Sequence, residues 1–278
     1  MMLALALLGL QAPAAPPSAR ALQRVELERD VARMNGVWKL REWGHFFVLS
    51  DITDEGFFDE LERRAFEARE ACVRLFPEAA SDPLRDDRRL PVLRALRDAG
   101  EYQSYGGPGG SSAYWSPGSG ELVVHDASDR SDTWFALAGC IASEFLDEFF
   151  GDAPRADWFE LGLSQYCACA TRESGFTAGD PEHWPTLDEL LSEPHGNWIR
   201  HMDVVPDRRR VAGALMRFLC DETLRKPEFD PRWARIPERY AVGWFELKDE
   251  AKARAFAFEG IDGVALERAW RASLAIPR

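Results

Sequence analysis

Positive charge is in short supply in this sequence: 34 Lys and Arg stand against 47 Asp and Glu, a formal net charge of −13 over 278 residues. That balance excludes a nucleic-acid partner, because such binding depends on clustered basic side chains that neutralise phosphates. Cysteine is sparse as well. Cys72, Cys140, Cys167, Cys169 and Cys220 form an odd, scattered set that does not make a disulfide framework. Cys167 and Cys169 stand two apart on an expected helix and point in different directions, with no paired thiols or histidines in step for a zinc knuckle. All five therefore read as buried free thiols. The glycine-rich stretch "GGPGGSS" from Gly106 to Ser112 is not followed by Gly-Lys-Ser/Thr, so a phosphate loop is excluded. No repeat period is visible, and the chain has only five histidines.

Hydrophobic residues at 46% and charged residues at 29% describe an ordinary globular protein with enough chain to bury a core. The initial apolar run "MLALALLGL" is too short to span a bilayer and suits the core of a signal peptide, although it carries no Lys or Arg before it. Ala12-Pro13-Ala14 fits a small-x-small cleavage site. The expectation is export to the periplasm or the extracellular space, with residues 1–20 as signal peptide and linker.

Further along, "HFFVLSD" (His45 to Asp51) and "LPVLRAL" (Leu90 to Leu96) read as strands. Between them Phe58, Leu61, Ala65, Ala68, Cys72 and Leu75 recur at spacings of three and four, one face of a helix. Thr53 stands where it would cap that helix, and Pro77 stops it. "AYWSPGSGELVVHD" has apolar arms around Pro117-Gly118-Ser119-Gly120 and reads as a hairpin. From Ser131 onward the pattern is helical. Asp157 is a cap for the helix at Trp158, and Thr186 for "LDELLS". Strands with an interposed helix, followed by helices, predict an α+β fold. The expected organisation is an α+β domain over residues 21–203 and a helical C-terminal part over 204–278, continuous with the same domain.

Together these elements resemble the peptidase MA-like families, gluzincin-type zinc metallopeptidases of the thermolysin-like superfamily, over roughly residues 43–225. The opening strand and helix, the hairpin, the helix from Asp132 to Phe150 and "WFELGLSQY" (Trp158 to Tyr166) are similar to the corresponding parts of those enzymes. The resemblance implies a zincin-like fold, with a small N-terminal sheet and hairpin followed by helices of the active-site type. In that family an H-E-x-x-H helix places two imidazoles on one face around a zinc ion, the Glu acts as general base, and the Glu of a W-L-x-E-G helix is the third ligand.

Here the five matching residues are Ser143-Glu144-Phe145-Leu146-Asp147, and the third-ligand position is Leu161. Glu144 keeps the general-base position, while Ser143, Asp147 and Leu161 replace the metal ligands. Glu160 stands one residue early, turned about 100° around the helix. Ala136, Cys140, Ser143 and Asp147 form a strip of small or mildly polar residues that would let a neighbouring helix approach. Without a metal, Glu144 is expected to be solvated or ion-paired.

The resemblance with its ligands replaced implies a catalytically inactive, metallopeptidase-like protein acting as a binding or structural module, with no cofactor. Its expected partner is a peptide or a protein. The strand Glu121, Leu122, Val123, Val124 and His125 reads as either an edge or an inner strand, and as an edge it is the candidate for pairing with an extended peptide, since strand addition needs only a free backbone edge. The alternative is an active metallohydrolase with a rearranged zinc site, in which Asp147, Glu144 and a histidine from elsewhere, such as His125 or His183, converge on the metal. A Ser143-His125-Asp147 arrangement lacks the strained elbow that exposes a nucleophile. No histidine is placed to activate Cys140 or Cys167.

Overall fold

Short apolar runs rich in β-branched and aromatic residues make the sheet. The computed structural model describes residues 17–34, 37–77, 88–151, 155–170, 184–193 and 206–274. Its strands are β1 (Lys39–Trp43), β2 (Phe46–Ser50), β3 (Val92–Leu96), β4 (Ala113–Ser116) and β5 (Glu121–His125). They form one sheet in the order β1-β2-β3-β5-β4. The three central strands are parallel, and both edge strands are antiparallel to their neighbours. Phe46 to Ser50 and Val92 to Leu96 are buried throughout, as strands covered on both faces must be.

The helices among the described residues are α1 (Ala19–Arg33), α2 (Glu55–Leu75), α3 (Ala99–Ser104), α4 (Arg130–Phe150), α5 (Asp157–Ala170) and α6 (Leu187–Ser192). Beyond them come α7 (Pro206–Cys220), α8 (Ile236–Leu247), α9 (Glu250–Ala257) and α10 (Gly263–Leu274). The fold is α+β, with helices dominating after β5. Helix α1 begins at Ala19, inside the stretch expected to be linker, and residues 1–16 of the expected signal peptide lie outside the described residues.

Local chemistry explains several boundaries. The cap of α2 is Asp54, not Thr53: the helix starts at Glu55, so the preceding carboxylate accepts from the Phe57 N–H at 3.2 Å. Thr186 caps α6 as expected, in a capping box with Glu189. Helix α4 ends at Gly151, whose φ of +72° is the conformation that glycine tolerates best.

Alternation along β5 sorts its side chains to two faces. Leu122 and Val124 pack with Leu61, Ala65, Leu137 and Ile141 of α2 and α4, while Val123 packs with Tyr102 of α3 on the opposite face. The largest apolar cluster runs from Cys72 of α2 through Phe145, Trp158 and Leu215 to Trp270 of α10. Helices on either side of residue 204 therefore share one core. No helix among the described residues is long and apolar enough to cross a membrane.

Candidate functional site

Helix α4 turns Glu144 and Asp147 to different sides, and each side meets a different neighbour. Glu144 is buried, with 2% of its surface exposed. It faces α2, where Arg69 Nη1 donates to its Oε2 at 2.8 Å. Nη2 of the same guanidinium donates to Glu148 at 2.6 Å. Burial pulls the Arg69 pKa down, but the two carboxylates outweigh it and the net shift is upward. The general-base position is thus half of a buried ion pair that ties α4 to α2.

Asp147 points to another side. Its Oδ2 accepts from the Trp115 indole N–H at 2.5 Å, and its Oδ1 accepts from Arg155 Nη2. Arg155 is itself buried and makes two further contacts, Nη1 to the Gly151 carbonyl at 2.9 Å and Nε to Glu160 at 3.3 Å. The positive φ of Gly151 ends α4, and Arg155 bonds that end. A cation there also complements the negative end of the α4 dipole. One guanidinium therefore sits between Asp147 of α4 and Glu160 of α5. Arg209 of α7 lies close enough to Asp157 and Glu160 for their charges to act on it.

Ser143 and Leu161 are not brought into this cluster. The Ser143 hydroxyl donates to the Gly139 carbonyl of its own helix at 3.3 Å, the back-bond typical of helical serine. Leu161 is partly buried and packs against the main apolar core. The strip from Ala136 to Asp147 meets strand β4, where the Trp115 indole reaches Asp147. Burial pushes the Cys140 thiol up to about 12. Helix α5 approaches α4 at Gly139 instead, where an added Cβ would stand 2.8 Å from Ser164 Oγ.

His125 does not join Ser143, Glu144 or Asp147. Its ring lies 4.8 Å from that of Tyr102, on the face of the sheet turned away from α4. His45 stands in the turn between β1 and β2, and His183, His195 and His201 lie outside the described residues. Among the described residues no three His, Cys, Asp or Glu side chains converge as a metal site.

The expected peptide edge at Glu121, Leu122, Val123, Val124 and His125 is corrected by the topology. β5 lies between β3 and β4, so its backbone is paired on both sides. The neighbouring edge is β4. Its register directs the peptide groups of Ala113 and Trp115 away from β5. Ser111 Oγ donates to the Ala113 carbonyl at 2.6 Å and accepts from the Ala113 N–H at 3.4 Å. The outward groups of Ala113 on this edge are used by the chain itself.

Arg69 and Arg155 were the residues that motif spacing did not reveal. Arg69 follows Ala65 by four and precedes Cys72 by three, so a charged residue stands on the apolar stripe of α2, where burial demands a partner. Arg155 carries no comparable signal, since it lies in the connection between two helices. Neither the protein-family models nor the curated proteins include a match to this sequence.

Proposed function

We propose that this chain is a metallopeptidase-like domain on a zincin-like frame that serves as a binding or structural module rather than as an enzyme, with a peptide or protein as partner. The observation that carries the reading is the Arg155 guanidinium bonded to both Asp147 and Glu160. An arginine is a permanent cation, and this one pairs with Asp147, which stands at one of the positions the resemblance assigns to a zinc ligand, and with Glu160, one residue before another. A dication brought to the same carboxylates would meet that positive charge at close range and would have to displace it.

Glu144 supports the same reading from the other side. A general base must reach the proton it removes, and a carboxylate held by Arg69 in the interior has no substrate proton within reach. The net charge of −13 goes with a partner other than nucleic acid. Export, expected from the apolar run at residues 2–10, belongs to the same proposal.

Zinc content by elemental mass spectrometry, measured beside peptide cleavage for the wild type and Glu144→Gln, tests the reading. The expected result is substoichiometric zinc and no cleavage by either protein. Stoichiometric zinc, with cleavage that Glu144→Gln abolishes, would overturn it.

A further inference from the structure

Cys72 of α2 and Cys167 of α5 are 95 residues apart in sequence, yet their sulfur atoms lie 3.4 Å apart. Both are fully buried, and neither takes part in the proposed function. Cysteine counting argued against a disulfide framework, because five scattered thiols single out no pair; the fold does single one out. We infer that Cys72 and Cys167 are a cross-linking site, forming one intramolecular disulfide between α2 and α5 when the chain folds in the presence of a disulfide oxidant.

The geometry is near what the bond requires. Closing 3.4 Å to a bonded length of about 2.05 Å asks for roughly 1.4 Å of movement, within reach of side-chain rotation and a small helix shift. Small neighbours ease that shift: Ala68 and Ala71 flank Cys72 on α2, and Ala168 follows Cys167 on α5. Cys140, Cys169 and Cys220 are less buried as whole residues than this pair.

The chemistry is thiol–disulfide exchange. One cysteine, as thiolate, attacks a sulfur of a small-molecule disulfide and expels one thiolate, leaving a mixed disulfide on the protein. The second cysteine, as thiolate, then attacks the protein sulfur of that mixed disulfide and expels the other small thiolate. Two protons leave the cysteines and end on the released thiols, and the two electrons reduce the oxidant. In the folded protein the Cys72 contact, followed by burial, holds the Cys167 thiol well above its ordinary range. Both residues are closed to a solvent-borne oxidant in the folded protein, so exchange belongs to folding, when both thiols meet solvent, and is slow in the finished native state.

The test is to refold the full chain in oxidised and reduced glutathione, block the remaining thiols with an alkylating agent in denaturant, and map peptides by mass spectrometry. The expected product has one Cys72–Cys167 linked peptide and three alkylated cysteines. Against the reduced protein its melting temperature should be higher by roughly 5–15 °C, since the bond closes a long loop. Cys72→Ala should remove both the linked peptide and the oxidant-dependent shift, while Cys140→Ala should leave both. Peptide mapping of the wild type alone decides the matter if the Cys72 variant does not fold. Five alkylated cysteines after oxidative refolding, or linkage of Cys167 to Cys169 or Cys220, would overturn the inference.

Discussion

Arg69 shows how much one buried residue can decide. It stands on the apolar face of α2 with its guanidinium between Glu144 and Glu148, and Arg69 and Glu144 are both almost wholly buried. Removing one partner of such a pair leaves a charge in the interior and is strongly destabilising, whereas replacing both by uncharged groups can be nearly neutral. Arg69→Met is therefore expected to lower stability by about 3–5 kcal/mol, read from the urea midpoint. Arg69→Met combined with Glu144→Gln should recover a large part of that loss. A double variant as unstable as the single one would show that Glu144 does not depend on Arg69. The same pair explains why the site was only half legible in the sequence. The spacing of Ser143, Glu144 and Asp147 on one helix could be read directly, but the arginines that hold Glu144 and Asp147 come from 75 and 8 positions away. A carboxylate at a catalytic position looks the same in a sequence whether it faces a cleft or an arginine.

At the scale of elements, close approach depends on what is missing from a side chain. Gly162 of α5 lies against the backbone of α7, where an added Cβ would stand 3.0 Å from the Ala212 carbonyl oxygen and 3.3 Å from its carbon. A helix backbone cannot rotate aside as a side chain can. Gly162→Ala is thus expected to destabilise by on the order of 1–3 kcal/mol from overpacking, despite the gain of about 1 kcal/mol that alanine brings to a helix interior. A thermal melt of the variant measures the balance, and a raised midpoint would mean that α7 yields easily. Elements with a strong local signal were legible: apolar runs mark β2 and β3, three-and-four spacing marks α2, and the arms around Pro117 to Gly120 mark the hairpin of β4 and β5, and all stand where those signals put them. Helix α1 and strand β1 gave no such signal. Only Gln23 and Leu27 of α1 are buried, and β1 is an edge strand with no fully buried residue, so neither needs a clear apolar stripe. The place of β5 inside the sheet was not legible either. A strand's own sequence records that both its faces are covered, but not which neighbours flank its backbone.

Across the whole molecule, carboxylates held in two opposite ways set the response to pH. The Arg130 guanidinium holds Asp54 below its ordinary value, Arg63 does the same for Glu60, and helix N–H groups lower Asp98 and Asp249. A carboxylate whose pKa is lower in the folded state stabilises fully above its unfolded value and loses that contribution as pH falls through the folded one. Asp51, which follows β2, behaves in the other sense. Burial, followed by Glu101, raises its pKa, while Arg97 at 2.8 Å and its own backbone N–H oppose that rise and Asp98 adds to it. Its ionisation therefore weighs against the folded state: the contribution is most favourable below the unfolded value and declines as pH rises through the raised one. Two outcomes are expected from urea midpoints measured between about pH 3 and pH 7. The wild type should lose stability below about pH 4, as the lowered carboxylates take up protons. Asp51→Asn, which cannot ionise, should gain on the wild type as pH rises from about 3.5 toward neutrality. If the difference between the two proteins shrinks over that interval, Arg97 holds Asp51 as a stabilising anion and burial does not govern it. The acid limb should persist in the variant, because Asp54, Glu60, Asp98 and Asp249 stand on other elements and keep their own partners.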